Sequence, residues 1–475
     1  MTIDYGFSPN RRAFLGRSAG ALGSLALAHL LDAEARRSRA GTPSPLSPPK
    51  REPKAKAVIC LFQHGGPSQV DLFDPKPELS KRHGQKYPGS LEIHFDKQAG
   101  NLLGSPFRFK PRGGSGIVLS ELLPHTAGVV DDVTLVRSMT TESVDHEAAL
   151  RLIHTGKIQA GRPTWGSWVV YGLGSENEDM PAYVVLSDPG GLPVDGVRNW
   201  SSGWLPAVYQ GTPFRSGAGG SPVLNLATPG GVSADARSGQ LDLLAALNRA
   251  HRARHPGPAA AELDARIANF ETAARMQTAV PEALDLNAEP AHVRRLYGLD
   301  DPACGEYAAR CLLARRLIER GVRFVQVFMN GQPWDTHSKN AESLKGLCAR
   351  TDRPSAALVH DLKQRGLLDS TVVLWTGEFG RLPVSQGPDG RDHNRHAFSL
   401  WLAGGGFKAG YAHGATDEFG YKSVTDVVTV HDLQATLLHS LGLDHQRLTF
   451  PHDGRDESLT DPEVTHAKVV PALLA

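Results

Sequence analysis

The sequence predicts an α/β fold in which helices flank a mostly parallel central sheet. Short apolar runs without polar alternation, such as AVICLF at 57–62 and TVVLWT at 371–376, are typical of strands buried on both faces of a parallel sheet. Segments with the helical spacing of apolar residues separate these runs, as in GEYAARCLLARRLIERG at 305–321. Because strands and helices alternate along the chain, we expect parallel strands joined by helical crossovers.

The predicted elements begin at residue 57. Strands are predicted at residues 57–62, 133–140, 181–188, 322–329, 371–376 and 398–405. Helices are predicted at residues 145–156, 234–281, 305–321 and 430–443. Residues 189–232 are rich in Gly, Pro, Trp and Ser, and we expect long surface loops there.

The first residues resemble an export signal. Arg11 and Arg12 precede an apolar, small-residue stretch from 19 to 31, and Ala33-Glu34-Ala35 offers a cleavage pattern. We therefore predict a twin-arginine signal at 1–35, handled by the twin-arginine export machinery, and a periplasmic or secreted protein. The alternative is a chance basic helix in a cytoplasmic protein.

The remaining domain organisation follows from composition. Residues 36–56 are Pro-rich and basic, which favours a linker. Residues 57–463 form the predicted α/β domain, with a helical and loop insertion at about 189–300, and residues 464–475 are a predicted C-terminal tail.

Charge and cysteine content exclude several classes of protein. The 475 residues include 51 basic and 50 acidic side chains, so no global field favours nucleic acid or an anionic membrane. No nucleic-acid-binding motif occurs, and no segment is long and apolar enough for a stable membrane span. The four cysteines form no CxxC pair, which favours buried thiols, although an exported protein can also form a disulfide.

Imidazoles and carboxylates follow four of the predicted strands. Ligands bind at the carboxyl ends of strands in open α/β sheets, so these side chains are expected to converge. The candidate metal ligands are His64, Asp335, His337, Glu378, Asp392 and His393. Such a mixed set predicts one or two divalent ions, with zinc or manganese favoured and calcium as an alternative.

Each of these residues alone is weak evidence, because a single His after a strand is more often a hydrogen-bonded loop residue. The conjunction across four strand ends is what favours a metal site. Hydrolysis without metal is the other chemistry considered: HGGPS at 64–68 resembles an oxyanion turn of lipases. That fold needs a G-x-S-x-G elbow, which does not occur at a strand-to-helix junction in this sequence.

Several long motifs resemble the bacterial family called domain of unknown function 1501, from about residue 57 to 463. They are FQHGGPSQVDLFDPKPEL, VRSMTTESVDHEAALRLIHTG, GRPTWGSWVVYGLGSEN, ARCLLARRLIERGVRFVQVF, WDTH, TGEFGRLP, GRDHNRHAFSLWLAGGGFKAGYAHGATDEFG and TVHDLQATLLHSLGL. The resemblance implies a fold like that of alkaline phosphatases and sulfatases. It also implies one or two metals at the strand ends and a nucleophile at a helix N-terminus.

The resemblance also places individual residues. His64 stands where the superfamily has its first Asp ligand, Glu378 stands at a later Asp position, and Phe379 replaces a His. His393 fits a further His ligand. Asp335 and His337 resemble the remaining pair.

The position of the nucleophile is a departure from the superfamily pattern. His146 stands there, and its roles as nucleophile, metal ligand or general acid stay open. No C-x-P-x-R motif occurs, which argues against formylglycine chemistry. Ser68, Thr141 and Ser143 are the alternative hydroxyls.

The sequence thus predicts an exported, metal-dependent hydrolase of phosphate or sulfate esters, with polysaccharide esters as one substrate class. Arg381 or Arg391 is expected to pair with the oxygens of the transferred group. The alternative is a protein of the same fold that binds metal or glycan without turnover, with sugar stacking on Trp residues between 165 and 204.

Overall fold

The computed structural model describes residues 52–94, 99–215, 231–255 and 259–475. The predicted export signal at 1–35 and the predicted linker up to residue 51 lie outside these residues. Nineteen strands occur in the described part of the chain: β1 (Ala57–Phe62), β2 (Ala99–Leu102), β3 (Phe109–Arg112), β4 (Ile117–Ser120), β5 (Val133–Thr140), β6 (Tyr183–Ser187), β7 (Thr212–Arg215), β8 (Phe324–Val327), β9 (Thr371–Thr376), β10 (Gly380–Arg381), β11 (Val384–Gln386), β12 (His393–Asn394), β13 (Phe398–Ala403), β14 (Tyr411–His413), β15 (Ala415–Thr416), β16 (Ser423–Thr425), β17 (Val428–Thr429), β18 (Phe450–His452) and β19 (Arg455–Glu457).

The same residues form eleven α-helices. They are α1 (Gln69–Leu72), α2 (Pro77–Lys81), α3 (His146–Thr155), α4 (Trp165–Leu173), α5 (Ala234–Arg254), α6 (Ala259–Leu284), α7 (Ala291–Tyr297), α8 (Gly305–Glu319), α9 (Asn340–Gln364), α10 (Val430–Ser440) and α11 (Pro462–Thr465). Among the described residues, no helix combines the length and the apolar character needed to cross a membrane.

Nine strands form the central sheet in the order β14-β5-β13-β9-β1-β8-β6-β7, with β17 beside β5. The pairs β9-β1, β1-β8, β8-β6 and β6-β7 are parallel. Strand β13 is antiparallel to both of its neighbours, β5 and β9, so β5 runs in the same direction as β9. The prediction of a mostly parallel sheet is therefore confirmed, and the carboxyl ends of β5, β9, β1 and β8 lie at one edge.

The sheet is covered on both faces, which explains the unbroken apolar runs of the sequence. Strand β1 directs Ile59 and Leu61 into one hydrophobic cluster, which includes residues of α8 and α9. It directs Cys60 and Phe62 into the opposite cluster, with residues of α3, α4 and α10. Successive side chains of a strand point to opposite faces, so a strand between two helical layers needs apolar residues at every position.

Several segments differ in detail from their predicted bounds. The strand predicted at 181–188 is shorter, the predicted surface loops contain β7, and the predicted helical segment 234–281 consists of α5 and α6. Residues of the predicted C-terminal tail pack on the domain: the side chain of Leu473 is buried and its carbonyl accepts a 2.9 Å bond from the backbone N–H of Lys408. The four cysteines are buried and unpaired.

The Trp residues considered for sugar stacking are mostly core residues. Trp165, Trp168 and Trp200 are buried in the cluster that contains Phe62. Trp204 is half-buried, and its ring is stacked with those of Phe450 and His452. Burial explains these Trp residues as packing, because an indole stabilises the fold most when it is removed from water.

Candidate metal centre at the strand ends

Four loops at the carboxyl edge of the sheet carry the predicted site residues. Phe62 pairs with Thr376 across β1 and β9, so His64 and Glu378 each follow the sheet by two residues. Asp335 and His337 lie in the loop after β8, and His146 is the first residue of α3, after β5. The predicted convergence at one edge is thus a consequence of the parallel strand order.

Two glycines allow these loops to approach each other. Gly65 has a φ of +109°, and a Cβ atom there would collide with the backbone of Trp334 and Asp335. A Cβ on Gly390 would overlap the backbone of His337. Backbone contact at both places holds the loop of Asp335 and His337 between the turn after β1 and the loop that leads to His393.

One carboxylate oxygen is the centre of the site. The Nε2 atoms of three imidazoles lie 3.0–3.4 Å from Oδ1 of Asp335: those of His337 (3.0 Å), His393 (3.1 Å) and His146 (3.4 Å). His146, Asp335 and His393 form one group whose ligand atoms lie within 4.8 Å of one another, and His337, Asp392 and His393 form a second. The structure therefore brings five of the predicted residues into two groups that share His393, and three imidazoles lie around Asp335.

The other ring nitrogen of each imidazole faces an acceptor. Nδ1 of His146 lies 2.6 Å from Oε1 of Glu378, and Nδ1 of His393 lies 2.6 Å from the carbonyl oxygen of Val144. Nδ1 of His337 contacts Oε1 of Gln386. A carbonyl or carboxylate oxygen can only accept, so each Nδ1 carries a hydrogen. Each Nε2 points at Asp335, where it donates a hydrogen bond when the ring is protonated and offers a lone pair to a cation when the ring is neutral.

When the three rings are neutral, three nitrogen lone pairs face one anionic oxygen, and these pairs and the oxygen repel one another unless a cation lies among them. Protonating all three rings would place three imidazolium groups and one guanidinium around Asp335, which is a large excess of buried positive charge. One divalent ion satisfies every atom. Ligand atoms of tetrahedral zinc lie about 3.3 Å apart when each bond is about 2.0–2.1 Å. The three distances from Oδ1 of Asp335 to the imidazole nitrogens, 3.0–3.4 Å, match that spacing. The ligand atoms of His146, Asp335 and His393 lie within 4.8 Å of one another, so these three residues fit a metal ion, and His337 lies 3.0 Å from the same oxygen.

The pKa values of the site residues follow from burial and from the charges of their neighbours. Burial opposes a charge on His146, but Asp335 and Glu378 outweigh it and raise its pKa to about 9. Burial lowers the pKa of His393 to about 4, against the pull of Asp335. Burial alone would raise the pKa of Asp335, yet hydrogen bonds from the imidazoles and the charge of Arg381 hold it well below its ordinary range. The carboxylates are therefore ionised, as ligands must be.

Asp392 is placed less directly. Its Oδ1 accepts the backbone N–H of His393 at 2.8 Å and lies 3.9 Å from Nδ1 of His337. Its Oδ2 accepts the backbone N–H of His94 at 3.1 Å. Asp392 therefore anchors its loop, and its predicted role as a ligand stays a prediction.

Arg381 connects several loops of the metal centre. Its side chain is fully buried; Nη2 donates to Oδ1 of Asp335 at 2.6 Å, and Nε and Nη1 donate to the carbonyl oxygens of Gly66 and Arg391 at 3.0 and 2.9 Å. The guanidinium is thus engaged on several sides by the loops of the site.

Arg391 lies in a separate buried network. Its Nε and Nη2 donate to the two oxygens of Asp71 at 2.8 and 3.1 Å, and its other donor contacts are the carbonyl oxygens of Leu103 and Leu382. Oδ2 of Asp71 also accepts from Ser68 and Asn340, at 2.6 and 2.9 Å. For both arginines, pairing with a substrate stays a prediction.

His64 lies deeper, behind Glu378, against the rings of Phe62 and Phe328. Within the described part of the chain, neither of its ring nitrogens has a hydrogen-bond partner, and Oε2 of Glu378 has none either. Burial lowers the pKa of His64 to about 3, so the ring is neutral. His64 and Glu378 belong to neither ligand group among the described residues; their direct ligation of a metal stays a prediction.

Phe379 and the alternative hydroxyls complete the surroundings. The ring of Phe379 is buried and lies 4.7 and 4.6 Å from those of His146 and His393, so it forms an apolar wall. Ser68 donates to Asp71 at 2.6 Å, away from the imidazoles. Ser143 binds the backbone N–H of Asp145 at 3.1 Å.

Sequence reasoning missed the groups that hold the ligands in place. The carbonyl of Val144 and the amide of Gln386 fix two imidazoles, and Glu378 fixes the third. A backbone carbonyl leaves no sequence signal. Gln386 lies 49 positions from its partner His337, at the end of β11, in a segment without a motif.

The comparisons with known proteins identify a family and several distant structural relatives. The family model described as "Protein of unknown function (DUF1501)" matches residues 55–474. No curated protein matches the sequence. The chain is similar to the PsFucS1 sulfatase from Pseudoalteromonas sp., with 10% identity, TM-score 0.35, and coverage of 86% of this chain and 70% of that one.

Two further solved structures are comparably distant. The phosphonate monoester hydrolase SpPMH from Silicibacter pomeroyi has 10% identity and TM-score 0.33, with 87% of this chain and 77% of that chain covered. Alkaline phosphatase from the Antarctic bacterium TAB5 has 9% identity and TM-score 0.31, with 82% and 99% covered.

Proposed function

The chain belongs to the DUF1501 family, and we propose that it is a metal-dependent hydrolase of phosphate or sulfate esters. The observation that carries the proposal is the arrangement around Asp335: three imidazole Nε2 atoms face its Oδ1, while each Nδ1 faces an acceptor. The ester class comes from the family motifs quoted from the sequence.

The ligands of one ion would be His146, Asp335, His337 and His393. A bound zinc or manganese ion supplies a Lewis acid that polarises an oxygen of the phosphoryl or sulfuryl group. Glu378, Gln386 and the carbonyl of Val144 hold the three rings at fixed tilt, and an acceptor on Nδ1 makes Nε2 a better donor to metal. Phe379 excludes water from the side of the site formed by His146 and His393.

This assignment divides the predicted roles. His146 acts as a ligand rather than as a nucleophile, because both of its nitrogens are committed, one to Glu378 and one toward Asp335. Arg381 and Arg391 hold loops, because both guanidiniums are fully buried and engaged by carboxylates and carbonyls. His64 packs as a neutral ring against Phe62 and Phe328.

Hydrolysis is tested on the purified chain after loading with zinc or with manganese. A panel of aryl phosphates, phosphate diesters and aryl sulfates is expected to show turnover that a chelator removes and added metal restores. His337→Ala is expected to abolish turnover, and His360→Ala, at an exposed position of α9, is expected to retain it. Metal binding without turnover on any ester would favour the alternative, a metal- or glycan-binding protein; failure to bind metal would overturn the hydrolase and the metal-binding form of the alternative.

We also propose export by the twin-arginine route, on the basis of Arg11, Arg12 and the apolar stretch that follows. The double variant Arg11→Lys, Arg12→Lys preserves the charge and is expected to stay in the cytoplasm. Periplasmic protein in unchanged amount would contradict this route.

A further inference from the structure

A short segment beside the metal centre alternates in burial. Leu91 and Ile93 are half-buried, whereas Glu92 and His94 are exposed. We name residues 91–94 the strap. Leu91 and Ile93 pack on a small hydrophobic cluster separate from the two main ones, which contains Val70, Leu79, Leu102, Leu382, Val384 and Phe419. The apolar side of the strap is therefore fixed to the domain, while its polar side faces the loop of His393.

Glu92 holds the polar side of the strap against the domain through hydrogen bonds. Its Oε2 accepts from Nε and Nη2 of Arg395 at 3.0 and 2.8 Å, and lies 2.9 Å from Nε2 of His396. The backbone N–H of Glu92 donates to the hydroxyl of Tyr421 at 3.0 Å. A guanidinium that gives two nitrogens to one carboxylate fixes orientation as well as distance.

His94 contacts the metal centre itself. Its backbone N–H donates to Oδ2 of Asp392 at 3.1 Å. Its ring is stacked on that of His393, with centroids 5.2 Å apart and planes 21° from parallel. His393 is thus held by the carbonyl of Val144 at Nδ1 and by the ring of His94 over one face.

We propose that the strap is a positioning device that keeps the loop of Asp392 and His393 in its ligand geometry and retards release of the metal, with Glu92 as its latch. Its bearing on metal release rests on the proposed function, because His393 is one of the proposed ligands. Two independent contacts carry the inference: the latch to Arg395 and His396, and the backbone bond and ring stack of His94. When the latch opens, the loop loses both contacts from His94.

The latch is tested with Glu92→Gln, and the control is Glu306→Gln, an exposed carboxylate in the first turn of α8. In the metal-free protein, Glu92→Gln is expected to raise hydrogen exchange of the backbone amides in 91–94 and 391–394, whereas the control leaves both segments unchanged. In the zinc-loaded protein, the variant is expected to release zinc to a competing chelator about tenfold faster, within the range for residues that support a ligand.

The two readouts separate the failure of the strap from the failure of the metal site. Unchanged hydrogen exchange of the amides in 391–394 in Glu92→Gln would overturn the proposed role of the strap. Increased exchange with an unchanged rate of zinc release would also overturn it. Failure of the wild-type chain to bind zinc would overturn the proposed function, and the exchange measurement would still decide whether the strap holds the loop. If Glu92→Gln shifts global unfolding, His94→Ala replaces it, since this change removes the ring stack and keeps the backbone bond.

Discussion

The buried carboxylate of Asp71 and the half-buried carboxylate of Asp335 both pair with a buried arginine, and their surroundings differ in kind. Asp71 accepts from a hydroxyl, an amide and a guanidinium, each with hydrogens to give. Asp335 accepts from Arg381 at Oδ1 and from the amide of Gln332 at Oδ2, and its Oδ1 also faces three imidazole Nε2 atoms, each on a ring whose Nδ1 already faces an acceptor. The network of Asp71 is therefore complete, and that of Asp335 needs a cation.

The difference separates structural from functional buried charge. A polar network in which every donor meets an acceptor stabilises one arrangement of the loops. A network of acceptors that face acceptors costs free energy until a ligand completes it, and such sites are typical of function. Residue composition does not distinguish the network of Asp71 from that of Asp335, since both contain a carboxylate and an arginine. The distinction comes from Nδ1 of each imidazole around Asp335, which already faces an acceptor.

The largest effect is expected on the stability of the protein, from a change in the network around Asp71. Arg391→Met removes one partner of a fully buried ion pair and leaves Asp71 without its main compensation. We expect a loss of about 3–5 kcal/mol in the free energy of unfolding, measured by denaturant titration of the metal-free protein.

A matched surface pair gives the control. Arg252→Met breaks the ion pair with Asp264, whose two side chains are 37% and 47% exposed, and is expected to cost less than about 1 kcal/mol. Equal effects of Arg391→Met and Arg252→Met would contradict the distinction.

The next largest effect is expected on metal binding by the network around Asp335. His337→Ala removes a proposed ligand whose side chain is 28% exposed. We expect the metal-free protein to change by less than about 1 kcal/mol in stability, because the lost side chain is partly exposed and Asp335 keeps its bond from Arg381. Zinc affinity, measured by competition with a chromophoric chelator, is expected to fall at least about 100-fold, since a ligand is lost outright. His360→Ala serves as the control, and an unchanged zinc affinity in His337→Ala would remove His337 from the site.

A smaller effect is expected at Glu378. Glu378→Gln keeps an oxygen that can accept from Nδ1 of His146 and from the backbone N–H of Gly65, but it removes the negative charge. Zinc affinity is expected to fall about tenfold, as for other groups that support a ligand. A loss as large as that of His337→Ala would instead identify Glu378 as a direct ligand, with Oε2 as the ligand atom.

The pH dependence of the two networks is expected to differ. The pKa of His146 is raised to about 9, so zinc must displace a proton at pH 7 and its affinity falls by up to about tenfold for each pH unit below 9. The pKa of Asp71 is lowered from its ordinary 3.8, because Arg391 outweighs burial, so its stabilising effect is present above that pH and is lost only as pH falls further. Zinc titrations and denaturant unfolding from pH 8 to 3 would reveal both; loss of stability in step with loss of zinc affinity would contradict the separation.

The sequence was sufficient for the framework of the site. Apolar runs predict β1 and β9, shorter apolar stretches interrupted by polar residues predict β5 and β8, and parallel order brings their ends together. The convergence of His146, Asp335, His337 and His393 is therefore expected from residue order. The strands were predictable because burial on both faces leaves a strong pattern.

The roles within the site were less accessible to sequence. Arg381 and Arg391 were predicted to face a substrate, yet their partners Asp335 and Asp71 lie 46 and 320 positions away and no local motif connects them. The latch between Glu92 and Arg395 joins residues 303 positions apart. Such pairings depend on how loops pack against one another, which residue order does not encode in any short pattern.

The central claim is that His146, Asp335, His337 and His393 hold one divalent ion. X-ray absorption spectroscopy of the zinc-loaded, purified chain tests it most directly. We predict one zinc per chain with three imidazole nitrogens and one carboxylate oxygen at about 2.0–2.1 Å, and the loss of one imidazole in His337→Ala. A spectrum of sulfur ligands, of water alone, or of unchanged imidazole count in that variant would contradict the account.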